Sequence, residues 1–247
     1  MKKAALFLLI TLLLTFMSWT QTPPTGEEIL QRVDANIGSD NKIATSEMII
    51  HGRRGSRSIK SKSWIYGEEK SFTEYLAPAR EAGTKMLKLE DQLWTYIPST
   101  DRTIKISGHM LKQSVMGSDL SYEDMMEDPQ LLNLYDANVI EEEIFLDRPC
   151  WVLELTAKVE EISYYSRKIW VDKERYVSLK EERFARSGKL LKIFEVKEIR
   201  RIQNRWVPTH MVFKDALKSG KGTEYFIESI EFNADIPEAL FTKASLR

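Results

Sequence analysis

Apolar residues recur along this chain with two periods, and the two periods separate helix from strand. Near the start, Ile29, Leu30, Val33 and Ile37 form a stripe at helical spacing. Thr25 precedes it, Glu28 stands three positions later as in a capping box, and Gly38 marks the stop. Alternation then takes over. Ser46-Met48-Ile50, Trp64-Tyr66, Trp94-Tyr96 and Trp151-Leu153-Leu155 each recur every second residue, as half-buried strands require. Gly67-Glu68-Glu69-Lys70, Ala82-Gly83, Glu90-Asp91 and Ser99-Thr100-Asp101 punctuate them as turns.

The second half has a longer rhythm. Turn signals near Lys173, Gly188, Asn204 and Gly220 lie 15, 16 and 16 residues apart. This spacing predicts strands of about ten to thirteen residues, well beyond the usual 5–6. Joined by short turns they form an antiparallel meander, which twists and curls toward a barrel or deep half-barrel. The strand from 190 to 199 carries Leu191, Ile193 and Ile199 on one face and Leu190, Phe194 and Val196 on the other. Both faces therefore meet apolar partners, under covering helices or in sandwich packing. Three segments read as helical: the first, a region around 109–134, and a turn at Pro237–Phe241. The fold class is mainly β (α+β). With no internal repeat and no Pro/Gly linker, 21–247 reads as a single domain.

The stretch Met110–Met126, MLKQSVMGSDLSYEDMM, interrupts the strand pattern. Outside the leader the methionines are 48, 86, 110, 116, 125, 126 and 211, so four of seven fall here. Methionine suits a surface that repacks around differing apolar partners. Gly117 and Ser118 supply a bend. Ser121 is placed to cap the next helix, with Asp124 completing the box. The acids Asp119, Glu123, Asp124, Glu127 and Asp128 lack the alternating oxygen ligands and central glycine of a calcium loop. They read instead as favourable charges at a helix start.

Lys2 and Lys3 precede an apolar run from Ala4 to Met17, followed by Ser18-Trp19-Thr20-Gln21. This is the layout of a secretory signal peptide over 1–20, with a cut near Gln21. Its run of about fourteen residues is short of the roughly 20 that span a bilayer. Its removal takes the formal charge from −1 to −3, because it holds two lysines and no acid. That near-balance gives no reason to expect nucleic acid as a partner. Cys150 is the only cysteine, so no internal disulfide forms.

Candidate chemistry is sparse. His51, His109 and His210 lie far apart with no metal-binding spacing, and no nucleophile elbow, P-loop or dinucleotide-binding glycine pattern occurs. Ser118, His109 and Asp119 make a poor nucleophilic trio, since adjacent Ser118 and Asp119 cannot flank one imidazole correctly. The expectation is a protein that is not an enzyme, with no cofactor and no metal. Arg53, Arg54, Arg57, Lys60 and Lys62 surround Gly55-Ser56, and Lys60 and Lys62 share a strand face with Trp64 and Tyr66. That face suits a lipid head group or anionic membrane surface, or it is a solvated hairpin tip. Strand tryptophans at 64, 94, 151, 170 and 206 exceed what a core of this size needs and are compatible with a lined cavity.

Particular motifs carry a family resemblance. They are Gly83-Thr84, Trp94-x-Tyr96-x-Pro98, Arg102-x-x-Lys105-Ile106 and above all Met116-Gly117-Ser118-Asp119-Leu120-Ser121-Tyr122-Glu123-Asp124. Ile169-Trp170-Val171-Asp172, Ser187-Gly188-Lys189 and Trp206-x-Pro208 extend it over nearly all of the chain beyond the leader. The chain resembles the outer membrane lipoprotein-sorting protein family, relatives of the periplasmic lipoprotein carrier LolA. The resemblance implies an unclosed antiparallel β-barrel or curved sheet, with a few helices covering its concave face over an apolar cavity. It also implies a periplasmic carrier of lipoprotein acyl chains or another lipid toward the outer membrane. An efflux-type transporter of the inner membrane and an outer-membrane acceptor are the implied partners. The alternative is an interaction or sensor module associated with such an exporter, with no lipid cargo. The expected cavity residues are Trp64, Tyr66, Met86, Trp94, Tyr96 and Trp151, with Met110, Met116, Leu120, Tyr122 and Met125 on the lid.

Overall fold

The first helix takes the form its sequence dictates. The computed structural model describes residues 23–38, 41–52, 55–127 and 130–247. The leader over 1–20, Arg53 and Arg54 of the basic hairpin, and Asp128 lie outside the described residues. Helix α1 (Gly26–Ile37) starts at Thr25, whose hydroxyl accepts from the Glu28 N–H at 3.2 Å. The Glu28 carboxylate accepts from the Thr25 N–H at 2.8 Å, completing the box. Ile29, Leu30 and Val33 are buried, each contributing roughly 1.5–3 kcal/mol to docking the helix.

Strands β1 (Asn41–Gly52), β2 (Gly55–Tyr66), β3 (Lys70–Ala77), β4 (Lys85–Leu89), β5 (Gln92–Ile97) and β6 (Arg102–Ile106) form one run of hairpins. A crossing segment follows, holding α2 (Tyr122–Met126) and α3 (Leu131–Leu134). Then come β7 (Tyr135–Phe145), β8 (Arg148–Ala157), β9 (Ser166–Asp172), β10 (Ser178–Phe184), β11 (Leu190–Ile202), β12 (Arg205–Asp215) and β13 (Thr223–Phe232). All thirteen make one antiparallel sheet in the order β6-β5-β4-β3-β2-β1-β13-β12-β11-β10-β9-β8-β7. The first strand pairs with the last, while β6 and β7 remain as separate edges. The sheet is curved and unclosed, with few helices, as the meander and the resemblance predicted.

Two expectations are corrected. The region 109–134 is not a continuous helix: it consists of 3-10 turns at Gly108–Lys112 and Val115–Gly117, then two helices of five and four residues. Gly117 and Met116, both at positive φ, break the helix between them. Strand β10 has seven residues instead of ten or more. The buried Asp172 carboxylate accepts the N–H groups of Glu174 and Arg175, at 2.9 and 3.0 Å, and so holds a long turn that consumes strand length.

The register separates the two faces of the sheet. On the inner face, Met48 lies opposite Ile59, Ser46 opposite Ser61, and Leu93 opposite Ile106. Helix α1 and the crossing segment cover this face, and α1 with α3 seals Tyr135, Leu153, Leu155 and Ile169. On the outer face, Ile43, Trp64, Phe72, Leu87 and Trp94 make a continuous cross-strand row. Ala234, Ile236, Phe241 and Leu246 from the last segment cover that row. Both faces are thus apolar because each carries its own cover.

Candidate functional site

The crossing segment leaves the β6 edge, runs over the inner face and reaches the β7 edge. Its apolar side chains Met110, Leu111, Met116, Leu120, Tyr122 and Met126 pack on Met48, Ile50, Ile59, Tyr75, Met86, Leu93 and Ile106. Backbone bonds within the segment fix its shape: Val115 N–H to the Leu120 carbonyl at 2.8 Å and Tyr122 N–H to the Gln113 carbonyl at 3.1 Å. Arg57 on β2 donates to the Met116 carbonyl. Ser121 caps α2, and the Asp124 carboxylate accepts the Ser121 N–H at 2.7 Å.

Polar contacts pin the other side of the segment to the second half of the sheet. Asp119 accepts from the Thr223 hydroxyl at 2.8 Å and from the Asp215 N–H at 3.0 Å. Lys192 Nζ donates to the Asp119 carbonyl at 2.5 Å, and Lys218 Nζ donates to the Ser114 hydroxyl at 2.8 Å. Asp124 pairs with Arg183 at 3.2 Å and accepts from the Tyr164 hydroxyl at 2.5 Å. Glu127 pairs with Arg167 and, at 3.3 Å, with Arg183. From the sheet itself Glu181 meets Arg167 at 2.6 Å and Arg183 at 3.0 Å. Burial raises the Asp124 carboxyl, but the Arg183 charge and the bonds from Ser121 and Tyr164 outweigh it and leave it below its ordinary value. Glu181 follows the same balance: burial opposes Arg183 and Arg167, which bring it down to about 2.

The predicted site residues divide between locations. Met86, Met110, Met116, Leu120 and Tyr122 come together on the inner face. Trp151 lies on that face too, but in a separate cluster beneath α1. Met125 is 38% exposed. Trp64, Tyr66, Trp94 and Tyr96 occupy the outer face with Phe72 and Phe241, so they do not meet the methionines. The reason is the period of two: Trp64 and Lys62 point away from the face that carries Ile59 and Ser61. Lys62 lies over the Trp64 ring at 5.0 Å on that outer face. The ion-paired arginines and lysine opposite the segment had only a weak signal in sequence: Arg167 and Arg183 on buried strands, far from the acids they meet.

Space around the segment is uneven. Directly beneath Asp119, Leu120 and Asp124, against Phe194 and Phe213, lies a void of about 10 Å³. That is room for about one water. Beside α2 a cleft of about 710 Å³ opens to solvent, with Leu111, Ile162, Leu191 and Leu217 as apolar walls and Ser121, Tyr164, Lys192 and Asp215 as polar ones. The Ser118 hydroxyl serves its own turn, accepting from the Leu120 N–H at 3.2 Å, while the Asp119 carboxylate is held by Thr223. On the outer face Glu224 bridges His51 and His210 at 2.8 and 2.7 Å. Among the described residues no group of three His, Cys, Asp or Glu side chains is arranged to hold a metal ion. No described helix is long and apolar enough to cross a membrane.

This curved, unclosed antiparallel sheet with few helices is a fold that the chain shares with solved proteins. A crystal structure described as an outer membrane lipoprotein-sorting protein domain, from Vibrio parahaemolyticus, superposes with a TM-score of 0.77 at 26% identity, covering 90% of this chain and 97% of that one. A DUF1329 family protein from Desulfovibrio piger gives 0.80 at 24% identity, over 90% and 98% of the two chains. A LolA superfamily protein from Nitrosomonas europaea gives 0.75 at 24%, over 90% and 100%. No curated protein matches the chain. A family model whose description reads "-like: Uncharacterized protein" matches residues 67–247, and the chain belongs to that family.

Proposed function

We propose that this chain, exported by its leader and folded as a single domain over 21–247, is a periplasmic, non-catalytic carrier of lipid or lipoprotein acyl chains. The observation that carries this reading is the crossing segment, whose six apolar side chains cover an apolar inner face. Lifting the segment would open the face built from Met48, Ile50, Tyr75 and Met86 to an acyl chain. Each methylene so buried contributes about 0.8 kcal/mol, so a chain of several carbons replaces the apolar cover that the lifted segment takes away. The methionines on both surfaces suit chains of differing length. An inner-membrane efflux-type transporter as donor and an outer-membrane acceptor are the partners this reading requires.

One observation favours the rival reading, an interaction or sensor module without cargo: the void beneath the segment is about 10 Å³. Native mass spectrometry of protein purified gently from the periplasm separates the two. Co-purifying lipid is the expected result. Bare protein that also fails to acquire added lipid would leave the interaction module.

A further inference from the structure

On the inner face of β9, β10 and β11 the register places three cations in one row. Arg183 lies directly opposite Arg167 on one side and opposite Lys192 on the other. Like charges directly opposite one another destabilise a sheet unless a counter-charge sits on them. Arg167 is 1% exposed and its Nε has no hydrogen-bond partner, so the row is desolvated as well as crowded. Such a row persists only where anions are supplied.

The supply comes from two sources. With Lys218 and Asp215 beside Lys192, the sheet side holds four cations (Arg167, Arg183, Lys192, Lys218) against two carboxylates (Glu181, Asp215). That is an excess of two positive charges. Asp124 and Glu127 of the crossing segment bring two negative ones onto the same guanidinium groups. Asp119 is held by the Thr223 hydroxyl and the Asp215 N–H and makes no ion pair with the row, while Glu123 and Glu161 line the cleft beside Lys192.

We propose that Arg167, Arg183 and Lys192 form a head-group site for an anionic, phosphate-bearing lipid, and that Asp124 and Glu127 stand in for that head group while the segment is closed. The proposal rests on the carrier reading and names the cargo class. Any lifting of the segment withdraws both carboxylates at once and leaves the row short of two negative charges. A phosphodiester restores charge and offers oxygens to the guanidinium forks, whose geometry fits phosphate as it fits carboxylate. A zwitterionic head group brings no net charge. The 710 Å³ cleft reaches Lys192 and Tyr164 from the solvent side, and its leucine and isoleucine walls provide the apolar approach for the chains. Head group and lid acids thereby compete for the same cations, which couples loading to opening.

The test uses the full chain incubated with vesicles of equal parts phosphatidylcholine and phosphatidylglycerol, then freed of vesicles and weighed by native mass spectrometry. Bound lipid should be enriched in phosphatidylglycerol roughly tenfold, the change expected from one charge-assisted hydrogen bond. The Lys192→Gln variant should bring the ratio back toward one. The double variant Asp124→Asn, Glu127→Gln should raise uptake while keeping the preference. Lys192→Gln carries the test even if that double variant fails to fold, because Lys192 lies at the open cleft. Equal uptake of the two lipids by the unaltered protein, or a preference untouched by Lys192→Gln, overturns the head-group site and leaves the carrier standing. No uptake of either lipid overturns both. Inorganic phosphate that speeds proteolysis of the 110–127 segment as much as phosphatidylglycerol does would mark a free-phosphate site and overturn the lipid assignment.

Discussion

The Arg57 guanidinium occupies the place where a side chain at residue 117 would begin: a Cβ on Gly117 would meet Arg57 Nη2 at 2.8 Å. One β2 arginine thus lies close against a glycine of the crossing segment, and it donates to the neighbouring Met116 carbonyl.

Replacing Gly117 should therefore loosen the segment. Gly117 has φ +71°, a conformation that strains most other residues by about 1–3 kcal/mol, and a side chain there also displaces the flexible end of Arg57. Gly117→Ala should speed proteolytic cleavage within 110–126 severalfold and lower the melting temperature only modestly. Unchanged cleavage would show that Arg57 and the bend do not hold the segment.

The ion pairs beneath the segment are buried, and breaking one should be costly. Glu181→Gln leaves Arg167 and Arg183 with one fewer counter-charge, and losing one partner of a buried pair costs about 3–5 kcal/mol. Urea unfolding measures it. A loss under about 1 kcal/mol would place these charges effectively in solvent.

The same groups set an acid limit. Glu181 is brought down to about 2 in the folded protein, against about 4.3 in an unfolded chain. The folded state therefore releases this proton more readily, and the stability it gains is fully present above roughly pH 5. That contribution is lost as pH falls through about 2, and Asp124, also held below its ordinary value, adds to the fall. Glu181→Gln should flatten the decline measured by thermal unfolding between about pH 5 and 2. An identical decline in the variant would assign it elsewhere.

The α2 cap and the first helix offer stability tests that need no lipid. Ser121→Ala removes the acceptor for the Asp124 N–H and should cost about 1 kcal/mol. Ile29→Ala, at a fully buried position between α1 and the sheet, should cost about 2–5 kcal/mol. Chemical denaturation resolves both, and the larger loss should belong to Ile29.

Location on opposite faces predicts a spectroscopic difference. Trp64 and Trp94 lie on the outer face, whereas Tyr122 lies on the inner one. Lipid brominated along its chains should quench the emission added by Tyr122→Trp far more than the emission of Trp64 and Trp94, resolved by their replacement with Phe. Equal quenching would place the acyl chains outside the inner face.

Much of the fold was legible from local pattern. Thr25 and Glu28 announced the first helix because a capping box is made by residues three apart. The alternation at Ser46-Met48-Ile50 announced a strand because side chains on a pleat alternate, and regular turn spacing announced a meander that curls. The Met-rich segment was recognisable as an interruption, and its Ser121-Asp124 box formed as the spacing required.

What alternation does not encode is which of two apolar faces turns inward, and here that choice depends on covers brought from afar. Trp64 and Met86 each sit on an apolar strand face, but the C-terminal segment covers the first and the crossing segment the second. Likewise Asp124 and Glu127 read locally as helix-start acids. Only the antiparallel register that sets Arg167, Arg183 and Lys192 in a row, 40 or more residues along the chain, turns them into counter-ions. Sequence determined the elements, because their causes lie within a few residues. Tertiary structure decided the faces and the charge partners, because strand pairing acts between residues the sequence keeps apart.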